Sequence, residues 1–293
     1  SNNIYLPIMK IDLKDNVLIH KNGSDDDFSE NINYWFDEGG KLSNHWDDYE
    51  LRESQMELSQ DIYSNFKDNS ILVSEAGAGL GKSLAYLISG LKHAKESKKK
   101  LVISTYTKSL QNQLFNKDIP LLTNSLNLNL KAVILKGKNN YISKINLKSI
   151  IDKDYVFMKD KEINECVTLI VWSYFTKTGD IEECNGIYRE KISYLWNKLT
   201  YPEISESDFD RNQYGIFPKN DYYNKVIKEL KNSDIIIINH SLLCADISND
   251  SPSLPEDSLL IIDEGHNLIN AIRNQLTENF SDGYLINLFY SLI

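Results

Sequence analysis

Apolar residues fall into two kinds of pattern along this chain. Leu58, Ile62 and Phe66 recur at i, i+4 and i+8, which predicts a helix with one buried face, ended by Asp68, Asn69 and Ser70. Leu84, Leu87, Ile88 and Leu91 repeat the helical spacing and predict a second helix. It closes in KESKKK, whose lysines complement the negative end of the helix dipole. Between and after these helices stand short continuous apolar runs with the β-branching of fully buried strands: ILVS (71–74), LVISTY (101–106), AVIL (132–135), IIIIN (235–239) and LLIID (259–263). Helical stretches separate most of them. The alternation predicts an α/β fold, a parallel sheet with helices on both faces.

The pattern also divides the chain. Residues 1–46 sustain no period and read as an irregular lead-in, and residues 47–136 hold the first part of the α/β domain. From about Gly137 to Lys231 the buried runs stop, Trp and Tyr become frequent, and Pro202 and Pro218 interrupt helical segments. Residues 137–231 are therefore expected to form a mainly helical insertion, with residues 232–275 returning to the α/β domain and residues 276–293 opening a further insertion. Trp172, Tyr174, Phe175, Trp196 and Tyr201 are expected as the insertion's core, since large aromatics dominate small cores; stacking on nucleobases is the alternative.

Composition changes this picture little. With 293 residues, 41% hydrophobic and 25% charged, the chain has the makings of one or two globular domains. No run approaches the ~18 apolar residues of a membrane span, no secretory signal opens the chain, and a soluble cytoplasmic protein is expected. Cys166, Cys184 and Cys244 are too few and too scattered for a disulfide framework and fit a reducing compartment. A formal net charge of −10 speaks against nucleic acid gripping the whole surface, while leaving room for a local basic track.

The most specific chemistry lies in SEAGAGLGKSLAYL, residues 74–87, where a predicted strand meets a predicted helix through three glycines. A triphosphate needs that order: a strand, a turn whose amides point inward, and a helix N-terminus facing the anion. Ala76, Gly77, Ala78, Gly79, Leu80, Gly81, Lys82 and Ser83 would form the cradle for ATP, with Lys82 on the β- and γ-phosphates and Ser83 on Mg²⁺. The usual first glycine is replaced by Ala76. Hydrolysis also needs a carboxylate at a neighbouring strand end to hold the metal and a second group to place water. LLIIDEGH supplies Asp263 for Mg²⁺ and Glu264 for water, and His266 follows near the γ-phosphate position.

AGAGLGKS followed by DEGH, with FDEGG and YELRESQ upstream and INHSLL between, resembles the DinG/XPD group of superfamily 2 DNA helicases from about Trp35 to Asn270. The resemblance implies a RecA-like phosphate-loop NTPase domain in which ATP hydrolysis drives movement along single-stranded DNA, with 5′-to-3′ polarity in that group. It implies that Arg52 and Gln55 lie in the adenine-recognising segment, Gln55 being able to donate and accept. It also implies that STYTKSLQNQL touches the DNA backbone through Thr105, Thr107 and Lys108, with Asn239 and His240 in the same groove. On the residues alone, a polar helix cap explains Thr105 to Lys108 equally well, and a lone His at a strand end is more often structural.

Two departures matter. Many members of that group hold a [4Fe–4S] cluster on four cysteines; here Ser143 stands at the first ligand position, no cysteine lies between Trp196 and Lys225, and an insertion without a cluster is expected. The group's motor also uses a second RecA-like domain, expected to lie outside these residues, so the partner expected is that domain of the same gene product, with single-stranded DNA as the track and no membrane. The leading reading is the N-terminal ATP-binding half of a DinG-like helicase. A helicase-nuclease with an upstream nuclease domain, and a single-stranded-DNA-binding accessory factor of a mobile-element or CRISPR system, are the alternatives.

Overall fold

The computed structural model describes residues 10–11, 15–20, 28, 30–46, 49–77, 79–126, 128–154, 160–185, 193–200, 221–249 and 252–277. In chain order the elements are β1 (Lys10–Ile11), β2 (Val17–His20), α1 (Ile32–Phe36), α2 (Lys41–His45), α3 (Glu53–Lys67), α4 (Lys82–Ser97), β3 (Lys100–Thr105) and α5 (Lys108–Gln113). A π turn at Leu114–Asp118 carries α5 into α6 (Ile119–Leu126). Then come β4 (Leu130–Ile134), α7 (Lys144–Ser149), α8 (Asp160–Phe175), β5 (Cys184–Asn185), α9 (Ser193–Leu199) and α10 (Tyr222–Leu230). β6 (Ile235–Asn239), α11 (His240–Ile247), β7 (Ser258–Ile262) and α12 (Leu268–Leu276) complete the described chain.

Five strands form one sheet in the order β2-β4-β6-β3-β7. The pairs β4–β6, β6–β3 and β3–β7 are parallel, and β2 joins β4 antiparallel at one edge. Both faces are covered, which is why these strands read as unbroken apolar runs. On one face Leu101, Ile103, Ile235 and Ile237 pack with Leu87, Ile88 and Leu91 of α4 and with Trp35 and Phe36 of α1. On the other, Val102, Ile236 and Ile238 pack with Leu169 and Trp172 of α8, Trp196 of α9 and Val226 of α10. Each such aliphatic side chain contributes on the order of 2 kcal/mol by leaving water. A mostly parallel sheet between helices, with the glycine-rich loop entering α4 and the acidic pair leaving β7, is the α/β class expected.

The structure departs from the expectations in three places. The lead-in is not irregular throughout: Trp35, Phe36 and Leu42 are buried in the core, and β2 lies in the central sheet. Five-residue helices are too short to display a period, so the pattern misses them. ILVS at 71–74 is not a strand. Ile71 and Val73 are each 92% exposed, and β7 is hydrogen-bonded on its β3 side alone among the described residues. An apolar run becomes a strand only where another strand accepts its backbone hydrogen bonds, and this one meets none there. In the insertion Trp172 and Trp196 are fully buried, but Tyr174 and Phe175 are 83% and 58% exposed, so they are not core; Tyr201 lies outside the described residues. The insertion's buried side chains share one cluster with the sheet face, so that segment covers the α/β domain as a layer.

Ser143 is buried at the start of α7, where its hydroxyl accepts from the Asn146 amide and donates to Asp221 Oδ2 at 3.1 Å. No described helix is long and apolar enough to cross a membrane.

Candidate functional site

The loop between residue 74 and α4 is shaped by Gly79 and Gly81, whose φ angles of +81° and +82° lie in the left-handed region that favours glycine. A Cβ on Gly81 would stand 2.1 Å from Gln55 Nε2, so a larger residue there would have to displace that amide as well as strain the backbone. Helix α3 braces this turn from behind. Gln55, buried on the first turn of α3, donates from Nε2 to the Gly81 carbonyl at 2.8 Å, and Arg52 donates to the Gly79 carbonyl at 2.5 Å. The two residues expected to read adenine are thus engaged with the loop backbone. They also line a cavity of about 320 Å³ beside it, with Trp46, Tyr49, Gly81 and Ser83. Gly77 and Leu80 close the turn through a 3.4 Å backbone bond, Ala76 precedes it, and Ala78 lies outside the described residues.

Lys82 is the first residue of α4, and its side chain crosses to the end of β7, where Nζ donates to Glu264 Oε1 at 3.1 Å. Asp263 is tied to the sheet by its amide, which donates to the Ser104 carbonyl at 2.8 Å. Its carboxylate accepts from the Tyr86 hydroxyl at 3.2 Å. Burial raises the Asp263 carboxyl above its ordinary range, against the pull of Lys82 and Tyr86, so the site favours an added cation. Ser83 lies beside the same phenol and has a hard oxygen to offer with Asp263, a donor set that suits Mg²⁺. Glu264 adopts φ +58°, an uncommon conformation for a side-chain-bearing residue and one that turns the chain sharply off the strand. His266 is exposed and places Nδ1 3.5 Å from Glu264 Oε2. The fold thus brings Lys82 to Glu264, 182 positions away in sequence, with Asp263 and His266 beside it. Tyr86 was missed. It lies one helical turn beyond Lys82 on α4, the i+4 position from which a side chain reaches the same face.

The residues expected to touch DNA gather at the carboxyl ends of β3 and β6, where ligands of open α/β sheets bind, but most are engaged with the fold. Thr105 is fully buried and its hydroxyl donates to the Thr107 carbonyl. Thr107 caps α5 by accepting from the Leu110 amide, and Asn239 caps α11 by accepting from the Leu242 amide at 2.8 Å. His240 is 1% exposed, with Nδ1 2.8 Å from the Ser104 hydroxyl. Burial holds its imidazole below the ordinary value. Thr105 and His240 are accordingly not surface contacts in this structure, because a strand end must satisfy its own polar groups first. Lys108 is exposed and pairs with Glu182, a partner from the insertion that no local signal in the sequence indicates.

No family model matches the chain. It is 32% identical over 258 residues to a 3′-5′ exonuclease DinG of Bacillus subtilis (strain 168), covering 86% of this chain and 26% of the relative. It is 30% identical over 267 residues to an ATP-dependent DNA helicase YoaA of Haemophilus influenzae, covering 89% of this chain and 40% of that protein. It is 34% identical over 231 residues to a 3′-5′ exonuclease DinG of Staphylococcus aureus (strain USA300), covering 78% of this chain and 24% of the relative. A solved truncated XPD aligns with a TM-score of 0.41 at 16% identity, over 75% of this chain and 55% of that one. The chain is thus a homologue of part of DinG and YoaA, spanning between about a quarter and two fifths of the curated relatives it matches.

Proposed function

We propose that this homologue of DinG and YoaA is the ATP-binding part of a DinG-like DNA helicase, a motor that couples ATP hydrolysis to 5′-to-3′ movement on single-stranded DNA. The observation that carries the reading is the meeting of Lys82 with Glu264 at 3.1 Å, at a loop braced by Gln55 and Arg52 and backed by Asp263. Glu264 is the partner of Lys82 in this structure, and phosphate oxygens would compete for the same ammonium. Entry of a triphosphate exchanges that partner: Lys82 turns to the phosphates, and Glu264 is released to accept a hydrogen bond from, and orient, the attacking water. Asp263 and Ser83 would hold Mg²⁺, which when bound offsets the charge of the β- and γ-phosphates. Tyr86 keeps the Asp263 carboxylate pointed toward the loop.

Two features support completion of the site by further polypeptide, including a second RecA-like domain of the same gene product. Lys82 and Glu264 each keep about a third of their side-chain surface exposed, at 34% and 33%. The free edge of β7 and the exposed Ile71 and Val73 are surfaces that a paired strand would cover. The insertion is proposed to fold without an iron-sulfur cluster, in keeping with Ser143 engaged as the cap of α7. A cytoplasmic location is proposed, in keeping with three buried cysteines, Cys166, Cys184 and Cys244, whose thiols are each pushed up by burial.

The test is phosphate release by the full-length polypeptide that carries this chain, with and without single-stranded DNA. Stimulation by DNA and its loss in Lys82→Ala are expected. Turnover indifferent to either change would overturn the reading.

A further inference from the structure

We propose that Glu182 is a built-in counter-ion for Lys108, occupying the place of a nucleic-acid phosphate and yielding to it when single-stranded DNA binds. The inference rests on the DNA-motor reading above and adds a competition that sets how tightly the track is held.

Glu182 is presented by a loop with little freedom. Thr176 Oγ1 accepts from the Gly179 amide at 2.8 Å, and Thr178 Oγ1 accepts from the Asp180 amide at 3.0 Å. Thr178 also donates to the buried Glu183. The Gly179 carbonyl accepts from the Ile142 amide at 2.9 Å, which fastens the loop to the start of the insertion. Gly179 itself adopts φ +71°, and a Cβ there would stand 2.3 Å from the Tyr222 ring. Asp180 then caps a short 3₁₀ turn by accepting from the Glu182 amide at 3.1 Å.

The charges on this loop are paired unequally. Lys136, buried at the end of β4, is held by Asp180 and by Glu182 Oε2, the latter at 2.6 Å. The other oxygen of Glu182 faces Lys108. Burial works to raise the Glu182 carboxyl, but the two lysines bring it below its ordinary range, so it is charged at neutral pH. Lys136 has two carboxylates and Lys108 has one. If Lys108 leaves, Glu182 keeps Lys136 through Oε2, while its buried Oε1 loses the charge that faces it, so a phosphate must draw Lys108 away. Lys108 is also the accessible member, with 56% of its side chain exposed against 10% for Lys136. The pair is open to water at its Lys108 end alone, Glu182 being 20% exposed, and is worth on the order of 1 kcal/mol, small enough for a phosphate to displace. The exchange has a thermodynamic signature. Lys108 arrives already neutralised by protein, so moving it to a phosphate releases fewer counter-ions than a free lysine would.

Fluorescence anisotropy with a fluorescein-labelled oligothymidylate measures this on four proteins: the unaltered chain, Glu182→Gln, Lys108→Ala and the double variant. Glu38→Gln, a carboxylate substitution in the loop between α1 and α2, controls for net charge alone. Glu182→Gln is expected to tighten binding about two- to fivefold, the size of one exposed ion pair, and to steepen the salt slope by about 0.7. In the Lys108→Ala background the same substitution should do no more than Glu38→Gln does. Thermal unfolding of each variant confirms that Lys136 and Asp180 still hold the loop. An equal gain with and without Lys108, or no gain in either, would overturn the counter-ion while leaving the DNA reading standing. Failure of all the proteins to bind the oligonucleotide would overturn the DNA reading itself, and the counter-ion with it.

Discussion

Replacing Gln55 by Ala separates two roles for the same side chain. Gln55 is 4% exposed and donates to the Gly81 carbonyl at 2.8 Å, on the turn that delivers Lys82. Alanine removes the donor, leaves that carbonyl to the Leu84 and Ala85 amides of α4, and empties the space beside Gly81. The loss is about 0.5–1.5 kcal/mol in the ordering of the loop, the net value of one hydrogen bond, which becomes roughly a 2- to 12-fold loss in affinity if binding requires the ordered turn. A brace for the phosphate loop acts on whatever the loop holds. ATP, GTP and inorganic tripolyphosphate should therefore all weaken together in Gln55→Ala, by similar factors, in calorimetric titrations with magnesium present. Adenine recognition makes a different pattern: ATP would weaken while GTP and tripolyphosphate would not. That selective pattern would refute the bracing argument and return Gln55 to the base.

Trp172→Ala should destabilise the chain by about 3–5 kcal/mol in urea unfolding, since the side chain is fully buried where the insertion meets the sheet; Trp172→Phe should cost less, because Trp172 Nε1 has no hydrogen-bond partner among the described residues. A loss under about 1 kcal/mol would show that the insertion and the sheet do not share a core. Stability should also fall on acidification. His93 and His240 are held below the ordinary imidazole value of 6.5, burial being the first cause in both, so the unfolded chain takes up protons that the folded chain refuses. Stability is thus fullest above that value and falls below it by at most about 1.4 kcal/mol per pH unit for each group. His240→Gln should shallow the decline between about pH 7 and 5.5, and an unchanged decline would remove His240 from the explanation.

The parts of this molecule legible in its sequence are those in which residue type and spacing answer one physical demand. Lys82 and Ser83 after alternating glycines can be read because few other arrangements turn a chain into a helix N-terminus with so little side chain in the way. Asp263 and Glu264 can be read because a charged pair at the end of an apolar run is conspicuous. The runs of β3, β6 and β7 are continuous because both sheet faces are covered. Ile71 to Ser74 has the same composition, yet strand formation belongs to the partner as much as to the segment, and the pattern carries no information about partners. Tyr174 and Phe175 were placed in the core by their size alone, whereas on α8 it is Trp172 that faces inward. Thr105, Thr107, Asn239 and His240 are polar residues at strand ends, where capping and ligand binding call for the same chemistry. The pairing of Lys108 with Glu182 depends on how the insertion folds back, which spacing cannot express.

Nucleotide binding compared among the unaltered chain, Lys82→Ala and Glu264→Gln addresses the central claim most directly. Lys82 and Glu264 are each other's partner at 3.1 Å, with about a third of each side chain exposed. Lys82→Ala removes the phosphate contact and should abolish measurable binding of ATP with magnesium in a calorimetric titration. Glu264→Gln removes the competing charge while leaving the loop intact, so ATP should bind at least as tightly as before, by up to about fivefold. Unchanged ATP affinity in Lys82→Ala, or binding lost in Glu264→Gln, would contradict the exchange of partners on which the nucleotide site is built.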